Sequence, residues 1–94
     1  MRRVRVVVHG EVQGVGYRYA TRRQARRRDL SGWVRNLPDG SVEAEIEGDD
    51  EMVESMLGWL AAGPPEAEVV TVTAHELEAT REPGSEASDF RITH

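Results

Sequence analysis

Apolar and polar positions alternate from Arg3 to His9, with Val4, Val6 and Val8 on one side and Arg3, Arg5, Val7 and His9 on the other. A period of two is that of a half-buried strand, so this segment predicts strand one. The period lengthens from Tyr17 to Arg28, where no proline or glycine occurs and Tyr17, Ala20, Thr21, Gln24 and Ala25 fall at helical spacing. The first helix therefore has a thin inner face of small residues, with arginines on its other faces. Gly32 to Leu37 reads as a second strand and Pro38-Asp39-Gly40 as a tight turn. Ser41 to Glu47 is a third strand, in which Val42, Ala44 and Ile46 alternate with Glu43, Glu45 and Glu47. Asp49 or Asp50 caps a second helix whose apolar stripe is Met52, Val53, Met56, Leu57 and Leu60, ended by Ala61-Ala62-Gly63-Pro64-Pro65. The β-branched residues from Val69 to Leu77 mark a fourth strand, Thr80 to Asp89 a polar loop, and Phe90 and Ile92 a short last strand.

This order, βαββαβ with a short extra strand, predicts an α+β fold. It is a two-layer α/β sandwich in which a four- to five-stranded antiparallel sheet carries both helices on one face and leaves the other open. With strands one and three as neighbours, Arg3 and Arg5 face Glu43, Glu45 and Glu47 in opposite-charge cross-strand pairs. Trp33, Trp59, Met52 and Met56 fall at core-like positions and read as packing residues.

Ninety-four residues suit one modest core, so residues 1–94 are expected to form a single domain. No apolar run is long enough to cross a membrane and Met1-Arg2-Arg3 opens no signal-peptide pattern, which makes the cytoplasm the expected address. The absence of cysteine removes disulfides, thiolate nucleophiles and thiolate metal sites. Short length and charged, alternating outer faces point to a monomer. The net charge of −5 conceals a division: residues 1–36 hold ten arginines against two acids, and residues 37–94 hold two against fifteen. An anion site in the first third is the expectation.

The segment His9-Gly10-Glu11-Val12-Gln13-Gly14-Val15-Gly16-Tyr17-Arg18 takes a strand through a glycine-rich loop into a helix N-terminus. Loop amides, the free N–H groups of the first helical turn and the helix dipole can converge there on phosphate oxygens, and Arg18 adds a planar fork able to bind two of them. It is neither a Walker A sequence nor a dinucleotide fingerprint.

Together with Ser31-Gly32-Trp33-Val34-Arg35-Asn36-Leu37-Pro38-Asp39-Gly40, this segment resembles the two signatures of the acylphosphatase family. The resemblance covers nearly the whole chain, from Val4 through Gly63-Pro64-Pro65 to Phe90-Arg91-Ile92. It implies a ferredoxin-like fold and metal-independent, cofactor-free hydrolysis of small-molecule acyl phosphates to carboxylate and phosphate. It also implies a phosphate-binding arginine at Arg18, a water-orienting asparagine at Asn36, and a cradle of Glu11, Val12, Gln13, Gly14, Val15, Gly16 and Tyr17. The chemistry suits these groups. A carboxylate leaves readily without a strong acid, and a loose phosphoryl-transfer transition state needs positioning and charge stabilisation most. Asn36 is no strong base, but its amide can hold a water in line with phosphorus.

Three residues depart from the family's pattern. Tyr17 replaces a common phenylalanine, which is harmless if its hydroxyl reaches water. Glu11 sets a carboxylate in the cradle, where it repels phosphate unless turned outward. Asp29 stands near the end of helix one where glycine is usual, and must adopt a left-handed or otherwise altered cap.

Arg22, Arg23, Arg26, Arg27 and Arg28 read as a solvated helix face rather than a nucleic-acid patch. Arg35 reads as a surface ion-pair partner, and His9, His75 and His94 as bystanders. RNA recognition through the same element order is disfavoured by the glutamates on the open face, since such domains present aromatic and basic side chains there. A domain that binds anions without catalysis is disfavoured by the presence of both Arg18 and Asn36.

Overall fold

A computed structural model describes residues 1–94. Its elements are β1 (Arg2–Glu11), α1 (Tyr17–Arg27), β2 (Ser31–Asn36), β3 (Val42–Gly48), α2 (Asp50–Ala62), β4 (Glu68–Leu77) and β5 (Phe90–Ile92). The sheet order is β4-β1-β3-β2-β5. The first four strands pair antiparallel, whereas β5 pairs parallel with β2, so the sheet is mixed rather than antiparallel throughout. The reason is topological: β4 occupies the far edge, and the chain must cross the molecule to reach the free edge of β2.

One side of the sheet presents Val4, Val6, Val8, Val34, Val42, Ala44 and Ile46, all buried. Against them pack Tyr17, Ala20, Thr21 and Ala25 of α1 and Val53, Met56 and Leu60 of α2, with Phe90 of β5. Each large side chain buried there contributes about 1.5–3 kcal/mol of transfer free energy. The small residues of α1 bring that helix close to the sheet, and this fixes where its N-terminus lies.

The other side carries the expected charge pairs. Arg3 reaches Glu45 at 2.6 Å, Arg5 reaches Glu43 at 3.8 Å and Arg35 reaches Glu43 at 2.7 Å. This face is less open than the alternation implied, because Glu43 and Glu47 are buried. Glu43 lies between two guanidinium groups, and Glu47 accepts hydrogen bonds from the backbone N–H groups of Thr80 and Arg81. Trp33 also belongs to this face and not to the core, for Val34 takes the inward position and the Arg35 guanidinium lies 5.3 Å from the Trp33 ring centre.

Both helices end in caps that depart from the usual pattern. Asp29 follows α1 at φ 53°. Its N–H donates to the Arg26 carbonyl and that of Leu30 to the Ala25 carbonyl, a Schellman arrangement normally built on glycine. Arg81 offsets the strain by donating to the Asp29 carbonyl at 2.9 Å. At the end of α2, the residue four positions after Leu60 is Pro64, which has no N–H to complete a helical bond to the Leu60 carbonyl. The Tyr17 hydroxyl donates to that carbonyl at 2.7 Å. It is buried and bonded to protein rather than to water, contrary to expectation.

Candidate active site

The strand β1 runs two residues further than its alternation indicated, with Gly10 opposite Val69 and Glu11 opposite Glu68 after a bulge at His9 and Gly10. Gly10 is required there: a Cβ would lie 2.1 Å from the Glu68 carbonyl oxygen. Glu11 is thus an exposed strand residue, and the turn proper is Val12–Gly16.

Within the turn, Val12 drops into the core and Val15 packs against it, which anchors the loop from beneath. Gly14 and Gly16 take left-handed conformations at φ 75° and 78°. Alternation of this kind turns successive N–H groups to one side, the arrangement of an anion nest. No backbone hydrogen bond has its donor between Gln13 and Gly16. Gly16 caps α1 without a side-chain bond, and the first-turn amides have no intrahelical acceptor. No acid lies in the first turn. The result is a cluster of unpaired donors at the positive end of a helix dipole.

Arg18, in that first turn, is half-buried and forms no ion pair, although six other arginines of the chain do. Asn36 ends β2 on the side of the sheet shared with Val34, paired with Val42. Its Oδ1 is buried and has no hydrogen-bond partner, a costly state unless something polar fills the space before it. Val12, Gly14, Gly16, Tyr17, Arg18, Tyr19 and Asn36 line one cavity of about 240 Å³. The two side chains proposed from sequence are therefore brought together, 18 residues apart in the chain.

Glu11, Gln13 and Val15 lie outside that lining. Gln13 points its amide instead at the β2–β3 hairpin, donating to the carbonyls of Leu37 and Ser41, each at 2.8 Å. Asp39 closes that hairpin: its Oδ1 accepts from the Ser41 hydroxyl and, at 2.9 Å, from the Ser41 N–H. These bonds hold the Asp39 carboxyl below its ordinary range. Burial pushes the Tyr17 hydroxyl up, so it remains a neutral donor. Tyr19 is the lining residue that sequence reasoning passed over, because an exposed aromatic beside an arginine gives no periodic signal.

The cavity offers unpaired N–H groups, one free guanidinium and one free amide oxygen, and no acidic side chain. It can hold a tetrahedral anion and place one water beside it.

A family model described as Acylphosphatase matches residues 4–92. The acylphosphatase of Thermococcus kodakarensis is 55% identical over 74 residues, spanning 77% of this chain and 81% of that protein. The crystal structure of acylphosphatase from Bacillus subtilis superposes with a TM-score of 0.86 at 34% identity, covering both chains fully. The structure of an acylphosphatase from Coxiella burnetii gives 0.87 at 36% identity, over 98% of this chain and 92% of the other.

Proposed function

Because this chain belongs to the acylphosphatase family, whose activity is the hydrolysis of acyl phosphates, we propose that Arg18 and the amides of residues 12–18 hold the substrate phosphate while Asn36 orients the attacking water. The observation that carries this reading is the convergence of an unpaired Arg18 and an unsatisfied Asn36 Oδ1 in one cavity.

The substrate is a small-molecule acyl phosphate, and the enzyme is a hydrolase. Its phosphoryl oxygens meet the loop amides and the Arg18 fork. Asn36 Oδ1 accepts from a water and aligns it opposite the leaving oxygen. The water oxygen forms the new bond to phosphorus as the bond from phosphorus to the carboxyl oxygen breaks. The electron pair leaves with the carboxylate, and the water's proton passes to a phosphate oxygen. Fixed donors stabilise the charge spread over the phosphoryl oxygens. Neither a metal nor a cofactor enters this scheme. We further propose that residues 1–94 act as one domain, as a cytoplasmic monomer. One core cluster spans both halves of the sheet, and neither helix is long and apolar enough to cross a membrane.

The test is steady-state hydrolysis of benzoyl phosphate with and without a chelator, with inorganic phosphate as competitor. Arg18→Lys removes the bidentate fork and Asn36→Ala the water's acceptor, and each is expected to lower turnover on the order of 100-fold or more. Near-normal rates in both variants would overturn the assignment, and loss of activity in chelator would overturn metal independence.

A further inference from the structure

The outer face of α1 carries Tyr19, Arg22, Arg23, Arg26 and Arg27. Their spacing places them in one stripe along the helix. They line a shallow groove of about 570 Å³. Tyr19, 63% exposed, lines both this groove and the cavity that holds Arg18 and Asn36, so the two concavities share a wall. The Arg22 guanidinium lies 5.4 Å from the centre of the Tyr19 ring.

The charge of the groove is not compensated. Arg26 pairs with Asp89 at 2.8 Å, but Arg22, Arg23 and Arg27 have no carboxylate partner, whereas Arg2, Arg3, Arg5, Arg35 and Arg81 each have at least one. No acidic residue occurs between Val12 and Arg28. Like charges four residues apart, as in Arg18 and Arg22, Arg22 and Arg26, and Arg23 and Arg27, destabilise a helix. An anion seated between them removes that repulsion. A solvated face that served only solubility would gain nothing from adjoining the cavity through an exposed aromatic ring.

Building on the assignment of the phosphate to Arg18 and the loop amides, we propose that the acyl end of the substrate leaves the cavity across Tyr19 and that Arg22 and Arg23 bind a second anionic group carried on it. The preferred substrates are then acyl phosphates whose acyl portion bears an anion remote from the scissile bond. Arg22 lies about 6 Å beyond Arg18 along the helix axis, which sets the distance at which that anion is recognised. The Tyr19 ring supports the carbon skeleton between the two charges.

Benzoyl phosphate and 4-carboxybenzoyl phosphate share a ring and differ by one distal carboxylate. Their kcat/KM values, each divided by its uncatalysed rate, are to be compared in the wild-type enzyme and in Arg22→Gln/Arg23→Gln. The wild type is expected to favour the carboxylated substrate about 3- to 10-fold at low salt, with the preference shrinking at about 0.5 M salt. The glutamine variant should bring the ratio to about one, and Arg22→Lys/Arg23→Lys should restore part of it. A wild-type ratio of one or less, or a preference that survives the glutamine variant, overturns the second site. Arg18→Gln is assayed alongside: normal turnover there would place the phosphate elsewhere and remove the premise, whereas loss of turnover with an unresponsive ratio would remove the second site alone.

Discussion

Gln13 ties the glycine-rich loop to Leu37, the residue next to Asn36, through a 2.8 Å hydrogen bond from its side-chain amide to the Leu37 carbonyl. The same nitrogen donates to Ser41 across the hairpin mouth at 2.8 Å. One side chain thus ties the glycine-rich loop, proposed above to hold the phosphate, to the strand end that carries Asn36, proposed to orient the water. Gln13→Ala is expected to lower kcat about 10- to 100-fold, since small misplacement of reacting groups is costly. In an Asn36→Ala background the same change should add little, because the proposed acceptor for the water is already removed. Fully additive losses in that double-mutant cycle would show that Gln13 acts independently of Asn36.

This link also marks how far the sequence could be read. Alternation at Val4, Val6 and Val8 and helical spacing from Tyr17 to Ala25 specify burial, and burial is periodic, so element order and core positions were legible. The place of Arg18 beside the glycine-rich loop was legible too, because the loop, the helix terminus and the charge division all lie within one stretch of chain. The parallel pairing of β5 with β2 was not, for a three-residue strand carries no signal of direction. Trp33 was misassigned because hydrophobicity alone favours the core, whereas alternation with the buried Val34 turns it outward beneath Arg35. Asn36 rested on resemblance, since nothing near it in sequence indicates an unpaired buried oxygen on a residue that shares a cavity with Arg18. The partners of Gln13 and Tyr17 lie 24 and 43 residues away, beyond any local pattern.

Glu47 makes acid sensitivity a second expected property. Burial alone raises its carboxyl, but hydrogen bonds from the Thr80 and Arg81 N–H groups and the Thr80 hydroxyl, with Arg3 nearby, outweigh it and hold the group below 4.5. A lowered folded-state value contributes stability that is complete above the unfolded-state value and is lost as pH falls through the folded one. Glu47→Gln should therefore cost about 1–3 kcal/mol at neutral pH, and its stability should fall less than that of the wild type on going below about pH 4.5. Denaturant midpoints measured from pH 7 to pH 3 check this. Parallel pH curves would show that Glu47 does not hold the segment at Thr80.

Thr21 is fully buried in α1, and its hydroxyl has no partner. An unsatisfied buried hydroxyl costs about 1–3 kcal/mol, and valine keeps its branched shape. Thr21→Val is expected to raise stability by about 1 kcal/mol, a shift of about 4–8 °C in Tm for a domain of this size, with benzoyl phosphate turnover unchanged. A lower Tm would mean that the hydroxyl has a bonding role.

Tyr17 couples the two helices at the floor of the site. Its ring packs on Trp59 with centroids 5.7 Å apart, and its hydroxyl satisfies the Leu60 carbonyl that Pro64 leaves open. Tyr17→Phe keeps the ring and removes only the donor, stranding a buried acceptor at a cost of about 1–3 kcal/mol. The neighbouring residue is Arg18, so loosening this contact frees the first turn of α1 as well. The expected signature is a drop in Tm of several degrees, with KM for benzoyl phosphate rising more than kcat falls, because in the proposed mechanism the unpaired amides of that turn meet the phosphate in the ground state as well as in the transition state. Replacing Pro64 with alanine supplies a backbone N–H at the position that normally bonds Leu60. In that background Tyr17→Phe should cost less than in the wild type. An equal cost in both backgrounds would show that the hydroxyl contributes by something other than completing the end of α2.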